Sequence, residues 1–99
     1  MRNGKLCVGI IGLQGYGGTY FSSLSTIPWA EITAICDKNE EVLQRNAKQH
    51  DIRLCFTDYM EMLQVKEIDA VFIATPHFLH YKMTMDALRA GKHVFCEKP

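Results

Sequence analysis

Leu6-Cys7-Val8-Gly9-Ile10-Ile11-Gly12-Leu13-Gln14-Gly15-Tyr16-Gly17-Gly18 is the stretch that decides the fold of this chain. Its first six residues form a short, nearly continuous apolar run, which reads as a buried strand. A glycine-rich turn follows at once, and residues 16–24 then read as a helix that Ile27 and Pro28 bring to a stop. Strand, glycine turn and helix in succession are the context in which a dinucleotide fingerprint carries meaning. Glycines let the chain turn tightly and let the backbone approach a pyrophosphate, while the free amides and dipole of a helix N-terminus attract the anion. Gly12, Gly15, Tyr16 and Gly17 are the candidate contacts. Gln14 stands where the second fingerprint glycine is expected, so its side chain should crowd that approach. Taken alone, the turn is also compatible with an ordinary glycine-rich loop.

Working outward, apolar runs at 6–11, 32–36, 54–56, 70–74 and 93–96 alternate with segments of helical spacing. Continuous apolar strands separated by helices imply an α/β fold, a Rossmann-type doubly wound parallel sheet with helices on both faces. A strand-order reversal between the first and fourth strands predicts the order 3-2-1-4-5 and a ligand crevice at the reversal. The second helix is expected at 39–49, with Asn39 as its capping oxygen, Glu40 and Glu41 in the first turn, and Val42, Leu43 and Ala47 as a narrow buried stripe. A third, from Asp58 to near Val65, opens on Asp58 and Glu61, a variant of the capping box, with Tyr59, Met62 and Leu63 on one face. The last is expected at 79–90. Its buried stripe reads as Tyr81, Met85 and Leu88, with Met83, Ala87 and Ala90 beside it, and it stops at Gly91.

Asp37 closes the second strand, 20 residues beyond Gly17. That is where an acidic side chain grips ribose hydroxyls in a dinucleotide site. Capping the helix that follows is the competing role for Asp37, and the two are compatible. A carboxylate here repels a ribose 2′-phosphate, which favours NAD over NADP, although Lys38 next to it partly offsets the repulsion.

Composition narrows the class further. With 99 residues, 47% hydrophobic and 22% charged, the chain supports a single domain over residues 1–99 rather than a disordered segment. Eleven basic and eleven acidic residues cancel, so no overall field draws nucleic acid or an anionic membrane, and neither is an expected partner. Cys7, Cys36, Cys55 and Cys96 lie far apart without metal-ligand spacing, so no metal site is expected. Each sits in or beside an apolar run, as suits a reducing cytoplasmic setting. The N-terminal apolar run is too short for a signal core or a membrane span.

The sequence after the fourth strand, Ala74-Thr75-Pro76-His77-Phe78-Leu79-His80, and the end of the chain, Gly91-Lys92-His93-Val94-Phe95-Cys96-Glu97-Lys98-Pro99, carry a resemblance. Residues 68–99, together with the glycine turn and Asp37, closely resemble the Gfo/Idh/MocA oxidoreductases, the glucose-fructose oxidoreductase and inositol dehydrogenase group. The resemblance implies hydride exchange between a nicotinamide cofactor and a hydroxyl-bearing carbon of a sugar, cyclitol or similar polyol. Lys98 matches the family's catalytic lysine, which hydrogen-bonds the reacting oxygen and assists proton transfer. Glu97 would help hold that lysine and the cofactor, and Pro99 would set the backbone turn that aims it. Thr75 and Pro76 match the segment that passes the nicotinamide ribose, and His80 reaches the same region. Read without the resemblance, Lys98 is a solvated surface lysine, Thr75 and Pro76 are a helix entry, and His80 holds the loop at the helix start. Gln14, and Tyr20 in place of a common histidine, depart from the family pattern. Family members also carry a second, substrate-binding α/β domain and often form homo-oligomers through its sheet. This chain stops at Pro99, so the expectation is a truncated form that is inactive alone. A stand-alone nucleotide-binding module is the alternative, and a methyltransferase shares the glycine turn and the acid but not Glu97-Lys98-Pro99.

Overall fold

The computed structural model of the chain describes residues 1, 4–14, 23, 24 and 26–96. Five strands, β1 (Leu6–Ile11), β2 (Ala30–Cys36), β3 (Leu54–Phe56), β4 (Ala70–Ile73) and β5 (His93–Cys96), form one sheet in the order β3-β2-β1-β4-β5. Every neighbouring pair is parallel. The expected order is therefore the observed one, and the reversal between β1 and β4 opens a crevice at the carboxyl edge. Three helices lie among the described residues: α1 (Glu40–His50), α2 (Tyr59–Leu63) and α3 (His80–Arg89), the last entered through a 3-10 turn at His77–Leu79. None of them is long and apolar enough to cross a membrane.

Adjacent strand residues face opposite sides of a sheet, so a strand covered on both sides must be apolar throughout. Ile10, Ile35 and Phe72 meet Leu43, Val42 and Ala47 of α1 on one face. On the other, Ile11, Ala34, Cys36, Val71 and Ile73 meet Met62 and Leu63 of α2 and Met83 and Ala87 of α3. Complete burial of Ile10, Ile35 or Leu43 stabilises the fold by about 1.5–3 kcal/mol apiece. At Gly9 an added Cβ would lie 2.9 Å from Cε of Met62, so the missing side chain is what lets that methionine pack against β1.

Local signals set the helix starts. Asn39 caps α1 by accepting the Val42 amide at 3.1 Å, and Asp58 caps α2 by accepting the Met60 amide at 2.9 Å. The helix-cap alternative for Asp37 is thereby excluded, because the capping oxygen of α1 belongs to Asn39. The expected stripe of α3 is also corrected. Tyr81 and Leu88 are exposed, whereas Met83 and Ala87, one turn apart, are buried with Leu79 packed beside them. Both stripes have helical spacing, and the position of β4 selects the second.

The terminal Gly91-Lys92-His93-Val94 motif has a structural role. Lys92 is buried, and its ammonium donates to the carbonyls of Val65 and Ile68, both at 2.7 Å, tying the loop before β4 to the start of β5. Burial pushes its pKa below the usual lysine value, opposed by the charge of Asp69. At the same edge of the sheet Asp69 accepts the Cys7 amide at 2.8 Å and pairs with the Met1 ammonium at 2.9 Å.

Candidate functional site

Every loop leaving the carboxyl edge of the central strands is pinned to its neighbour. Gly12 donates to the Cys36 carbonyl at 2.8 Å, Ala74 to that of Ile11 at 2.8 Å, and Asp37 to that of Phe56 at 3.1 Å. Between these loops lies a cleft of about 480 Å³. Its walls come from the turns after β1 (Gly12, Gln14), β2 (Asp37, Lys38), β3 (Thr57–Tyr59) and β4 (Ala74–Pro76), with Leu79 and Met83 closing one side.

Gly12 adopts φ +95°, and a Cβ there would sit 2.9 Å from the backbone of Ala74 and from Cγ2 of Thr75. Any other residue would be strained in conformation and would collide with the β4 loop. Asp37 organises the opposite wall. Its Oδ2 accepts the Leu13 amide at 2.9 Å, while Oδ1 accepts the Asn39 amide at 2.9 Å and the Gln14 side-chain amide at 3.2 Å. Asp37 is only 7% exposed, so these donors hold a buried acid and join the glycine turn to the end of β2. Gln14, expected to crowd the approach of phosphate, lines the cleft, and its side-chain amide donates to the acid assigned to ribose.

The floor includes Cys36, whose thiol is pushed up to about 12 by burial, with Asp37, Asp58 and Glu61 adding to the effect. Burial thereby disfavours the thiolate form, the reactive one. Thr75 turns its hydroxyl toward Sδ of Met83 at 3.2 Å, and the His80 ring nitrogen Nε2 lies 2.7 Å from the Thr75 carbonyl. His80 therefore braces the loop from behind and is not among the residues lining the cleft.

Of the residues singled out in the sequence, Gly12, Gln14, Asp37, Lys38, Thr75 and Pro76 converge on the cleft. Gly15, Tyr16, Gly17, Glu97 and Lys98, and most of the first expected helix, lie outside the described residues. Thr57, Asp58, Tyr59, Leu79 and Met83 were missed. The signal was available for the first three, because they directly follow a strand at the ligand-binding edge of a parallel sheet. Capping and core packing had accounted for Asp58 and Tyr59.

A glycine turn after β1, a buried acid after β2 and an apolar cleft at the strand-order reversal define a dinucleotide-binding domain of the Rossmann class. Residues 6–99 match the oxidoreductase family GFO_IDH_MocA, NAD-binding Rossmann fold, and the chain belongs to that family. The oxidoreductase YrbE of Bacillus subtilis is 37% identical over 96% of this chain, which spans 28% of that relative's length. Scyllo-inositol dehydrogenase from Lactobacillus casei, solved with bound NAD(H) and scyllo-inositol, superposes with a TM-score of 0.90 at 35% identity, over 96% of this chain and 28% of its own. A 3-ketoreductase from Actinomadura kijaniata, in complex with NADP and TDP-benzene, gives 0.89 at 31% identity over 96% and 29%. The chain is thus an NAD(P)-binding domain, and the family uses both forms of the cofactor.

Proposed function

We propose that this chain is the cofactor-binding part of an NAD-dependent dehydrogenase acting on a hydroxyl of a cyclitol or sugar. The observation that carries the reading is the carboxylate of Asp37, buried at the end of β2 and facing the cleft beside Gly12. The residues present fit the cofactor. Gly12 lets the first turn pack directly against the β4 loop at the edge of the cleft, Asp37 has acceptor capacity for ribose hydroxyls, and Leu79, Met83 and Ile11 offer an apolar seat for a base. When bound, the nicotinamide accepts or returns a hydride. Asp37 also repels a 2′-phosphate, which supports NAD over NADP, and exposed Lys38 offsets only part of that repulsion. The cyclitol substrate rests on the inositol dehydrogenase relative. Lys98 is the residue assigned to the proton on the reacting oxygen, through its match to the family's terminal motif.

Titration of the chain with NADH, NADPH and S-adenosylmethionine tests the reading. NADH binding tightest supports it, and preference for S-adenosylmethionine refutes it. Turnover of inositols and sugars is expected only where a substrate-binding domain accompanies this one, since holding the reacting carbon near the nicotinamide supplies about 7–11 kcal/mol of barrier reduction. Turnover by the 99 residues alone, abolished by Lys98→Ala, would overturn that division of labour.

A further inference from the structure

One polar cluster at the cleft is not used by the phosphate turn or by Asp37. Tyr59, the first residue of α2, lines the cleft with its half-buried ring and donates its hydroxyl to Oδ2 of Asp86 on α3 at 2.5 Å. Lys82 completes the group, donating to the same carboxylate oxygen at 2.9 Å and to the tyrosine hydroxyl at 3.2 Å, with Nζ 5.8 Å from the ring centroid. The three residues join two different helices. Leu79 and Met83, which line the same cleft as Tyr59, belong to the segment that carries Lys82 and Asp86.

Helix α2 is five residues long, too short to hold its own position by helix propensity. Its placement depends on the burial of Met62 and Leu63 on one side and on the Tyr59 tie on the other. The separation of α2 from α3 sets the width of the slot between Tyr59 and the Leu79–Met83 wall. The cleft there is lined by buried Met83 and half-buried Leu79 together with exposed Thr57 and Asp58, which suits a flat heteroaromatic ring with polar edges.

Resting on the dinucleotide reading, we infer that Asp86 is a positioning residue that locks Tyr59 as the wall of the adenine seat, with Lys82 a minor, exposed member of the cluster. Asp86 carries most of the effect. Its side chain is 12% exposed, whereas that of Lys82 is 72% exposed, and an exposed i,i+4 pair contributes little by itself. The ligand class is the adenosine half of the dinucleotide, so the effect should appear with ADP-ribose, which lacks the nicotinamide.

A double-mutant cycle on the 99-residue chain tests the inference, with the ADP-ribose and NADH dissociation constants and the thermal midpoint measured for each variant. Asp86→Ala should weaken ADP-ribose by about threefold to tenfold, the scale of one typical net hydrogen bond acting through the position of Tyr59, and Lys82→Ala by less than about twofold. Asp86→Asn keeps an acceptor for the tyrosine hydroxyl and should recover part of the affinity. If Asp86 acts through Tyr59, adding Tyr59→Phe to Asp86→Ala costs no further affinity, whereas two independent structural defects would add. Additive losses, or a folded Asp86→Ala variant within twofold of wild type, overturn the inference. A wild-type chain that binds neither ADP-ribose nor NADH overturns the proposed function itself, and the adenine seat with it.

Discussion

Replacing Asp37 by asparagine changes almost no volume but removes one of the two acceptor oxygens on which the cleft wall is built. Oδ1 serves Asn39 and Gln14 while Oδ2 serves Leu13, so an asparagine oxygen can replace one oxygen and its amide must then confront a donor at the other. With the oxygen turned toward Asn39 and Gln14, the Leu13 amide is left buried and unpaired. A hydrogen bond to a charged acceptor contributes about 1.5–3 kcal/mol and an unpaired buried amide costs about 1–3 kcal/mol. These terms overlap, so the expected loss is about 2–4 kcal/mol of a total near 5–15 kcal/mol. Urea unfolding followed by circular dichroism measures it. The same substitution removes the negative charge that faces a 2′-phosphate. At an effective dielectric near 20, charges about 4 Å apart interact by about 4 kcal/mol, and solvent and Lys38 screen part of this. The NADPH-to-NADH affinity ratio should therefore rise by at least about fivefold. An unfolding free energy within about 0.5 kcal/mol of wild type would refute the structural tie. An unchanged ratio would refute Asp37 as the selector.

Lys92→Met removes two short bonds to the Val65 and Ile68 carbonyls and, after relief of the buried ammonium, should cost about 2–4 kcal/mol in urea unfolding; a loss below about 0.5 kcal/mol would contradict the bracing role. Gln14→Gly removes one of the two donors on Oδ1 of Asp37, leaving that of Asn39, and opens the approach to the turn, so NADH should bind more tightly; unchanged or weaker binding in calorimetry would make the Gln14 amide a ligand contact. The Asp69 carboxyl is held below its usual range chiefly by the Cys7 amide, opposed next by desolvation of the charged form and supported further by the Met1 ammonium. A lowered folded pKa stabilises fully above the ordinary value of about 3.9 and is lost as pH falls through the folded one. Acid unfolding of Asp69→Asn should consequently show a shallower loss of stability below about pH 4 than wild type. Identical acid slopes would remove Asp69 from that account.

Sequence by itself determined the sheet. Ile10 beside Ile11 and Val71 beside Phe72 and Ile73 are apolar on both sides of the pleat, a pattern only a strand covered on both faces requires. The glycine after β1 and the acid after β2 could likewise be singled out, because the positive φ at Gly12 and the backbone amides that converge on Asp37 are demands few residue types meet. Tertiary structure alone decided which stripe of α3 meets the sheet. Periodicity groups Tyr81 with Leu88 and Met83 with Ala87 equally well, and only the position of the neighbouring strands chooses between them. It also decided the partners of the polar side chains. Gln14 with Asp37, Tyr59 with Asp86 and Lys92 with Val65 are separated by 23, 27 and 27 residues, so each bond exists only because the fold brings distant segments together. Local pattern records what each residue is suited to do, and the fold decides which other residue it does it with.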